Sequence, residues 1–304
     1  MSTQATQKNE RLGVWLAIGA AFGFSAKAIL VKLAYAFPGA VPVEAVTLLA
    51  LRMLYSLPAF IWIGLRASRQ TQPLPRRDWL AVIALGLIGY YGASIFDFLG
   101  LRYITAGLER LILFTYPTLT LLLGAAFFGH RITRREMAAL ALCYIGIGAA
   151  FSHDLNVAGN QHDVWLGTAL VFASSLTYAG YLVGGGQMIV RLGAARFTAL
   201  AMLVSTSATL LHFAITQPLP SLIEQPWQIH AYGFAMALFS TVLPVFAMAA
   251  AMRRIGASRA ALISTLGPLT TIFLGWAILG ETISLTQLAG TALVVGGVVI
   301  VSRH

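Results

Sequence analysis

Six charged side chains fall inside long apolar stretches of this 304-residue chain: Lys27, Lys32, Arg52, Asp97, Glu109 and Arg110. A charge at the centre of a hydrocarbon layer costs at least about 2.5 kcal/mol, so each needs a partner or a water-filled surface. Lys27, Asp97 and Glu109 fall at similar depth when counted along their stretches. That predicts a polar cluster or gate in which Lys27 meets Asp97 or Glu109. Such a cluster can bind the carboxylate and ammonium of a zwitterion; a structural ion pair would satisfy the same charges. Glu109 and Arg110 are also compatible with interfacial solvation, and Lys32 and Arg52 with snorkelling toward a polar region.

A second group carries hydroxyls. Tyr90, Tyr91, Tyr116 and Tyr178 fall near the middle of their stretches, with Tyr181 close by. A cavity for an organic metabolite needs apolar walls and a few groups that fix orientation, and tyrosine supplies both. Ser94, Ser240, Thr241 and Thr265 are lesser candidates, because a hydroxyl can bond its own helix instead. Pro117, Pro244 and Pro268 sit inside such stretches, as does Pro58. Each removes a backbone donor, so each is a pivot, a place where polar backbone faces a cavity, or a static bend.

Enzymatic chemistry has little to work with. The one cysteine, Cys143, excludes an internal disulfide and reads as a small apolar residue, and the six histidines show no metal-ligand spacing. No cofactor and no metal are expected. Gly184-Gly185-Gly186 lacks the Lys-Ser/Thr of a phosphate loop. His153-Asp154 and His162-Asp163 are the sole hint of a polytopic membrane enzyme, and both read as solvated turn residues.

The elements that must hold these residues are helices in lipid. Hydrophobic residues make up 58% of the chain and charged ones 10%, and the mean hydropathy is +0.80; too few charges remain to cover a soluble globule. A crossing takes about 20 apolar residues. Ten stretches qualify, near 12–33, 44–65, 79–100, 107–128, 134–151, 164–185, 195–215, 229–251, 258–279 and 285–302. The polar segment Met1 to Arg11 and the lack of a small-residue cleavage site argue against a signal peptide. Gly19 and Gly23, then Gly180 and Gly184, have the spacing that lets membrane helices approach closely.

The formal charge of +10 is distributed in a pattern that needs no nucleic acid. Lys8 and Arg11 precede the first stretch; Arg66, Arg69, Arg76 and Arg77 follow the second; Arg131, Arg134 and Arg135 follow the fourth; Arg191 and Arg196 follow the sixth; Arg253, Arg254 and Arg259 follow the eighth; and Arg303 ends the chain. The loops at 38–43, 152–163, 217–228 and 281–284 hold no Lys or Arg, and only Arg102 interrupts the alternation. The positive-inside rule then puts both termini in the cytoplasm.

The segment Leu101 to Ala150 reappears ungapped from Met252 to Val301, an offset of 151. Arg102 matches Arg253, Pro117 matches Pro268, Gly129 matches Gly280 and Gly146 matches Gly297. Similarity between the first and sixth stretches is weaker, with Ser25 opposite Ser175 at an offset of 150. Five stretches per half is an odd number, so the second copy enters the membrane from the opposite side. The expected architecture is an all-α integral membrane protein of ten transmembrane helices, built as two inverted five-helix repeats (1–151 and 152–304) around a central cavity. Inverted halves that exchange conformations give alternating access, whereas a rigid scaffold gains nothing from inversion.

The ten-stretch layout, Leu279-Gly280-Glu281 before a Gly-rich apolar helix, and Lys32 and Arg52 in the first two stretches resemble the EamA family of the drug/metabolite transporter superfamily. The resemblance covers essentially the whole chain; His130 departs from the acidic residue usual after the fourth stretch, although Glu281 keeps it after the ninth. It implies outward movement of small organic metabolites across a bacterial inner membrane, with amino acid exporters, including those for aromatic amino acids, among similar proteins. It also implies a cavity lined by stretches 1, 3, 4, 6, 8 and 9, with 5 and 10 peripheral. The expected partners are a small-molecule substrate and the bilayer, a monomer being sufficient. Efflux of cationic drugs is the second transport reading, for which Lys27 beside Asp97 is a poor fit.

Overall fold

The computed structural model describes residues 3–38, 43–69, 72–129, 132–157 and 160–302. His130, Arg131 and Arg303, together with part of the 38–43 and 152–163 loops, lie outside the described residues. Among the described residues every regular element is helical. In lipid no water satisfies a bare backbone group, so a chain this apolar must close its hydrogen bonds within each segment.

Among the described residues nine helices are long and apolar enough to cross a membrane: α1 (Asn9–Tyr35), α2 (Ala45–Ser68), α3 (Arg76–Gly100), α4 (Ala106–Phe127), α5 (Arg134–Asn156), α6 (Gln161–Leu192), α7 (Ala194–Thr216), α8 (Trp227–Ile255) and α9 (Leu262–Leu279). The last helix, α10 (Leu285–Ser302), is apolar over Leu285–Ile300 and shorter than the rest. Large side chains such as Trp62, Leu65, Trp165, Val190 and Ile215 point outward and stay exposed, as a lipid-facing surface requires. The main core, with Leu48, Leu49, Met53, Phe60 and Phe98 fully buried, lies where α1, α2, α3 and α8 meet.

Positions 151 residues apart share backbone features. Gly129 and Gly280, equivalent at an offset of 151, both adopt left-handed φ values, 68° and 67°, to end their helices. α4 breaks at Phe114–Thr115 and the α9 segment, which begins upstream as Ala257–Ser264, breaks at Thr265. Phe114 and Thr265 are equivalent positions. At the two breaks Thr115 and Thr265 each donate a hydroxyl at 2.6 Å, to the carbonyls of Ile112 and Leu262. Wider π turns at Gly86–Gly92 in α3 and Leu238–Val242 in α8 also correspond, so the likeness extends beyond the stretch where the residues themselves match.

Packing follows the same rule. α3 lies on α6 as α8 lies on α1, α4 on α6 as α9 on α1, and α3 on α7 as α8 on α2. α2 pairs with α7, α4 with α9, and α5 with α10. In the last pair the Cys143 thiol points at the Val294 carbonyl, 3.6 Å away and 151 residues on. A Cβ placed on Gly146 would press on the Gly290 carbonyl, and one on Gly297 would press on that of Ala139. Later residues of α5 therefore meet earlier residues of α10, so the two helices run antiparallel, and only glycine permits this approach.

Candidate functional site

Lys27, from α1, donates to Asp97 Oδ2 on α3 and, at 2.9 Å, to Glu109 Oε1 on α4. The ammonium thus meets both carboxylates. Asp97 and Glu109 are buried, and Asp97 Oδ1 and Glu109 Oε2 have no hydrogen-bond partner among the described residues. Two carboxylates around one ammonium, with two oxygens unsatisfied, form a polar site that holds charge inside the bundle.

Arg52 does not snorkel. Its Nε donates to Thr241 Oγ1 at 2.9 Å and its guanidinium lies over the Phe98 ring, 5.5 Å from the centroid. Thr241 is held by its own bond to the Met236 carbonyl at 3.1 Å, five residues back across the π turn. Arg110 is likewise not at an interface; it faces α9, and a Cβ on Gly267 would stand 2.8 Å from its Nη2.

The tyrosines divide. Tyr116 and Tyr178 pack edge to face at 5.3 Å, Tyr178 stacks on Tyr181 at 5.9 Å, and Tyr181 packs on Tyr90 at 4.9 Å. Tyr181, the inner member of this row, stacks in turn on Phe197 at 5.5 Å. Tyr90, Tyr116 and Tyr178 are half-buried. Tyr91 is separate: its hydroxyl bonds His212 Nδ1 at 2.9 Å, on α7. Ser94 is half-buried. Ser240 is buried with its hydroxyl unpartnered among the described residues, and Thr265 spends its hydroxyl on its own helix.

Pro117 and Pro268 stand just beyond the two helix breaks, and Pro244 follows the π turn of α8. Pro58 lies within an unbroken α2. The Leu113 carbonyl, which Pro117 leaves without its helical donor, accepts from Ser175 at 3.2 Å. Ser25 donates across to the other half, to the Gly267 carbonyl at 3.0 Å, three positions beyond the equivalent of Leu113.

One expectation is corrected outright. Asp154 is not a solvated turn residue: it is buried and accepts from the Thr105 amide at 3.1 Å and the Thr105 hydroxyl at 2.9 Å. Glu281 joins it, accepting from the Ala106 amide at 2.9 Å with Lys32 Nζ 3.8 Å away. Two acids therefore cap the start of α4, where unpaired amides and the helix dipole favour negative charge. Burial pushes the Glu281 carboxyl above its ordinary range, and the Ala106 amide and the Lys32 ammonium pull it part of the way back. Thr105 before an apolar run signalled this cap; the distant acids had no local signal.

A polar pocket of about 330 Å³ beside this cap is lined by Lys32, Tyr35, Arg102 and Glu281. A wholly apolar groove of about 520 Å³ runs past Phe22, Phe239, Leu243 and Pro244, between α1 and α8; it offers nothing to orient a polar solute. Among the described residues no His, Cys, Asp and Glu side chains gather as a metal site would need.

Residues 11–152 and 165–303 both match the family described as the EamA-like transporter family. An uncharacterized transporter of Bacillus subtilis, YcbK, is 30% identical over 88% of this chain and 85% of its own length. A protein of Salmonella typhimurium named as a probable amino-acid metabolite efflux pump is 26% identical over 81% of this chain and 86% of its own. A Chlamydia trachomatis S-adenosylmethionine/S-adenosylhomocysteine transporter is 23% identical over 72% and 68%. A crystal structure that covers 95% of both chains superposes with a TM-score of 0.61 at 19% identity, a likeness of fold.

Proposed function

Because the chain belongs to the EamA-like transporter family, we propose that it carries amino acids or similar small metabolites outward across a bacterial inner membrane by alternating access. The two halves, 1–151 and 152–304, act as inverted five-helix repeats with both termini in the cytoplasm, and one chain suffices. The observation that carries this reading is the exchange of contacts between halves, in which three helix pairs recur with their partners swapped. A pair of equivalent helices that run antiparallel, α5 and α10, supports inversion of the whole repeat. Rocking one half against the other then exchanges the openings on the two sides.

Pro117, Pro244 and Pro268 are the pivots in this mechanism, since helix breaks and π turns already interrupt the ladder beside them. Lys27, Asp97 and Glu109 form the polar gate, and Tyr90, Tyr116 and Tyr178, with Ser240 and Thr265, border the cavity. Tyr91 and Ser94 have weaker claims, Tyr91 because its hydroxyl is committed to α7. The names of the Salmonella and Chlamydia relatives both specify cargo with an amino-acid part, which favours a zwitterionic or related solute. Transport in this reading is secondary or facilitative.

The test is flux in proteoliposomes, with radiolabelled amino acids set against cationic dyes, with and without proton and sodium gradients. Saturable amino acid exchange is the expected result. Dye movement alone would replace this reading with cationic drug efflux, and movement of nothing by folded protein would leave a structural role.

A further inference from the structure

The interior charges do not balance. Lys27, Arg52 and Arg110 face Asp97 and Glu109, three cations against two carboxylates, and both carboxylates turn toward Lys27. Arg110 is left over. Successive residues on a helix point about 100° apart, so Glu109 reaches α1 while Arg110 reaches toward α9. Among the described residues no carboxylate stands within ion-pair distance of its guanidinium, and its Nε is buried without a hydrogen-bond acceptor. The face of the Phe114 ring lies 5.1 Å from the guanidinium carbon. An isolated guanidinium inside a membrane protein is costly unless an anion or water satisfies it.

The surroundings are shaped for it. Gly267 leaves the space that Nη2 occupies, and Gly267 is the position equivalent to Tyr116, at an offset of 151. The first half thus supplies Arg110 and Tyr116 where the second supplies Ala261 and Gly267, so the symmetric interface becomes a one-sided recess. Arg110, Tyr116 and Tyr178 are all half-buried. From Arg110 the aromatic row runs through Phe114 to Tyr116, at 6.3 Å, and on to Tyr178.

We propose that Arg110 binds the carboxylate of the transported solute, whose body lies against the rings of Tyr116 and Tyr178. The guanidinium offers paired donors that match a carboxylate, and the Gly267 recess lets it swing without losing its place. This rests on the transporter reading above and adds the residue that would meet the solute's carboxylate.

The test measures binding to the purified full chain in detergent by isothermal titration. The probes are L-phenylalanine, 3-phenylpropionate and the neutral 3-phenylpropionamide, at fixed chloride. The expected result is binding of the two carboxylates and at least about tenfold weaker binding of the amide. Arg110→Met should abolish that preference and Arg110→Lys should keep part of it. Gly267→Ala, which retains every charge but fills the recess, should weaken carboxylate binding and so covers the case in which Arg110→Met fails to fold. Equal binding of acid and amide, no binding of either carboxylate, or competition by nitrate as good as by carboxylate would overturn the proposal. Carboxylate binding through Arg110 in protein that moves nothing across vesicles would leave the proposal standing and remove transport. Amino acid flux with an unchanged KM in Arg110→Met and Gly267→Ala would remove the proposal and leave transport intact.

Discussion

Lys27 donates to two buried carboxylates, Asp97 and Glu109, and its removal leaves both without that ammonium. Breaking a buried ion pair from one side costs roughly 3–5 kcal/mol, so Lys27→Met should melt well below the native protein, and adding Asp97→Asn should recover part of the loss. Cys143 is buried and is the one thiol in the chain, so a thiol-reactive fluorophore reports unfolding directly; an unchanged melt would refute the cluster's structural weight. Glu281 gives a pH dependence. Its carboxyl titrates above the ordinary 4.5 in the folded protein, so the native state binds more protons than the unfolded one. The stability it contributes is full below pH 4.5 and is lost as pH rises through the raised value. Melting temperature should decline across that window, and Glu281→Gln should flatten the slope. The sequence marked Lys27, Asp97 and Glu109 as costly ions. It did not mark Glu281 and Asp154 as a joint cap, because residues 127 positions apart share no local pattern.

At the scale of elements, apolar length alone located the helices, with ends displaced by a few residues and α6 extending to Leu192. The breaks in α4 and α9 follow from Pro117 and Pro268, which cannot complete the ladder. Which group would take over the carbonyl that Pro117 frees was not legible, since Ser175 lies on another helix. The contact of α5 with α10 depends on glycine at the crossing. Gly146→Leu should force the helices apart and cost about 1–3 kcal/mol by overpacking, whereas Gly148→Leu, with open space around it, should be nearly neutral. Equal melting of the two variants would show that α5 and α10 do not pack as described.

At the scale of the whole molecule, the arginine-rich and arginine-free loops predict opposite faces. Single cysteines at exposed Arg69 and His162, introduced into a Cys143→Ser background, should react with an impermeant thiol reagent from opposite sides of the membrane. Labelling from one side would remove the inverted arrangement. Hydropathy, the offset of 151 and the placement of arginines are all properties of the linear chain, because lipid sorts residues by solubility and a gene duplication leaves its spacing behind. They sufficed for a helical membrane transporter with an internal repeat. Only the tertiary structure decided which charges meet, that Tyr181 belongs with Tyr90 while Tyr91 turns to α7, and that among the described residues no carboxylate stands within ion-pair distance of Arg110. Partners in a buried site are chosen by which helix faces cross at the same depth, and that crossing is set by packing over the whole bundle, which no local run of residues records.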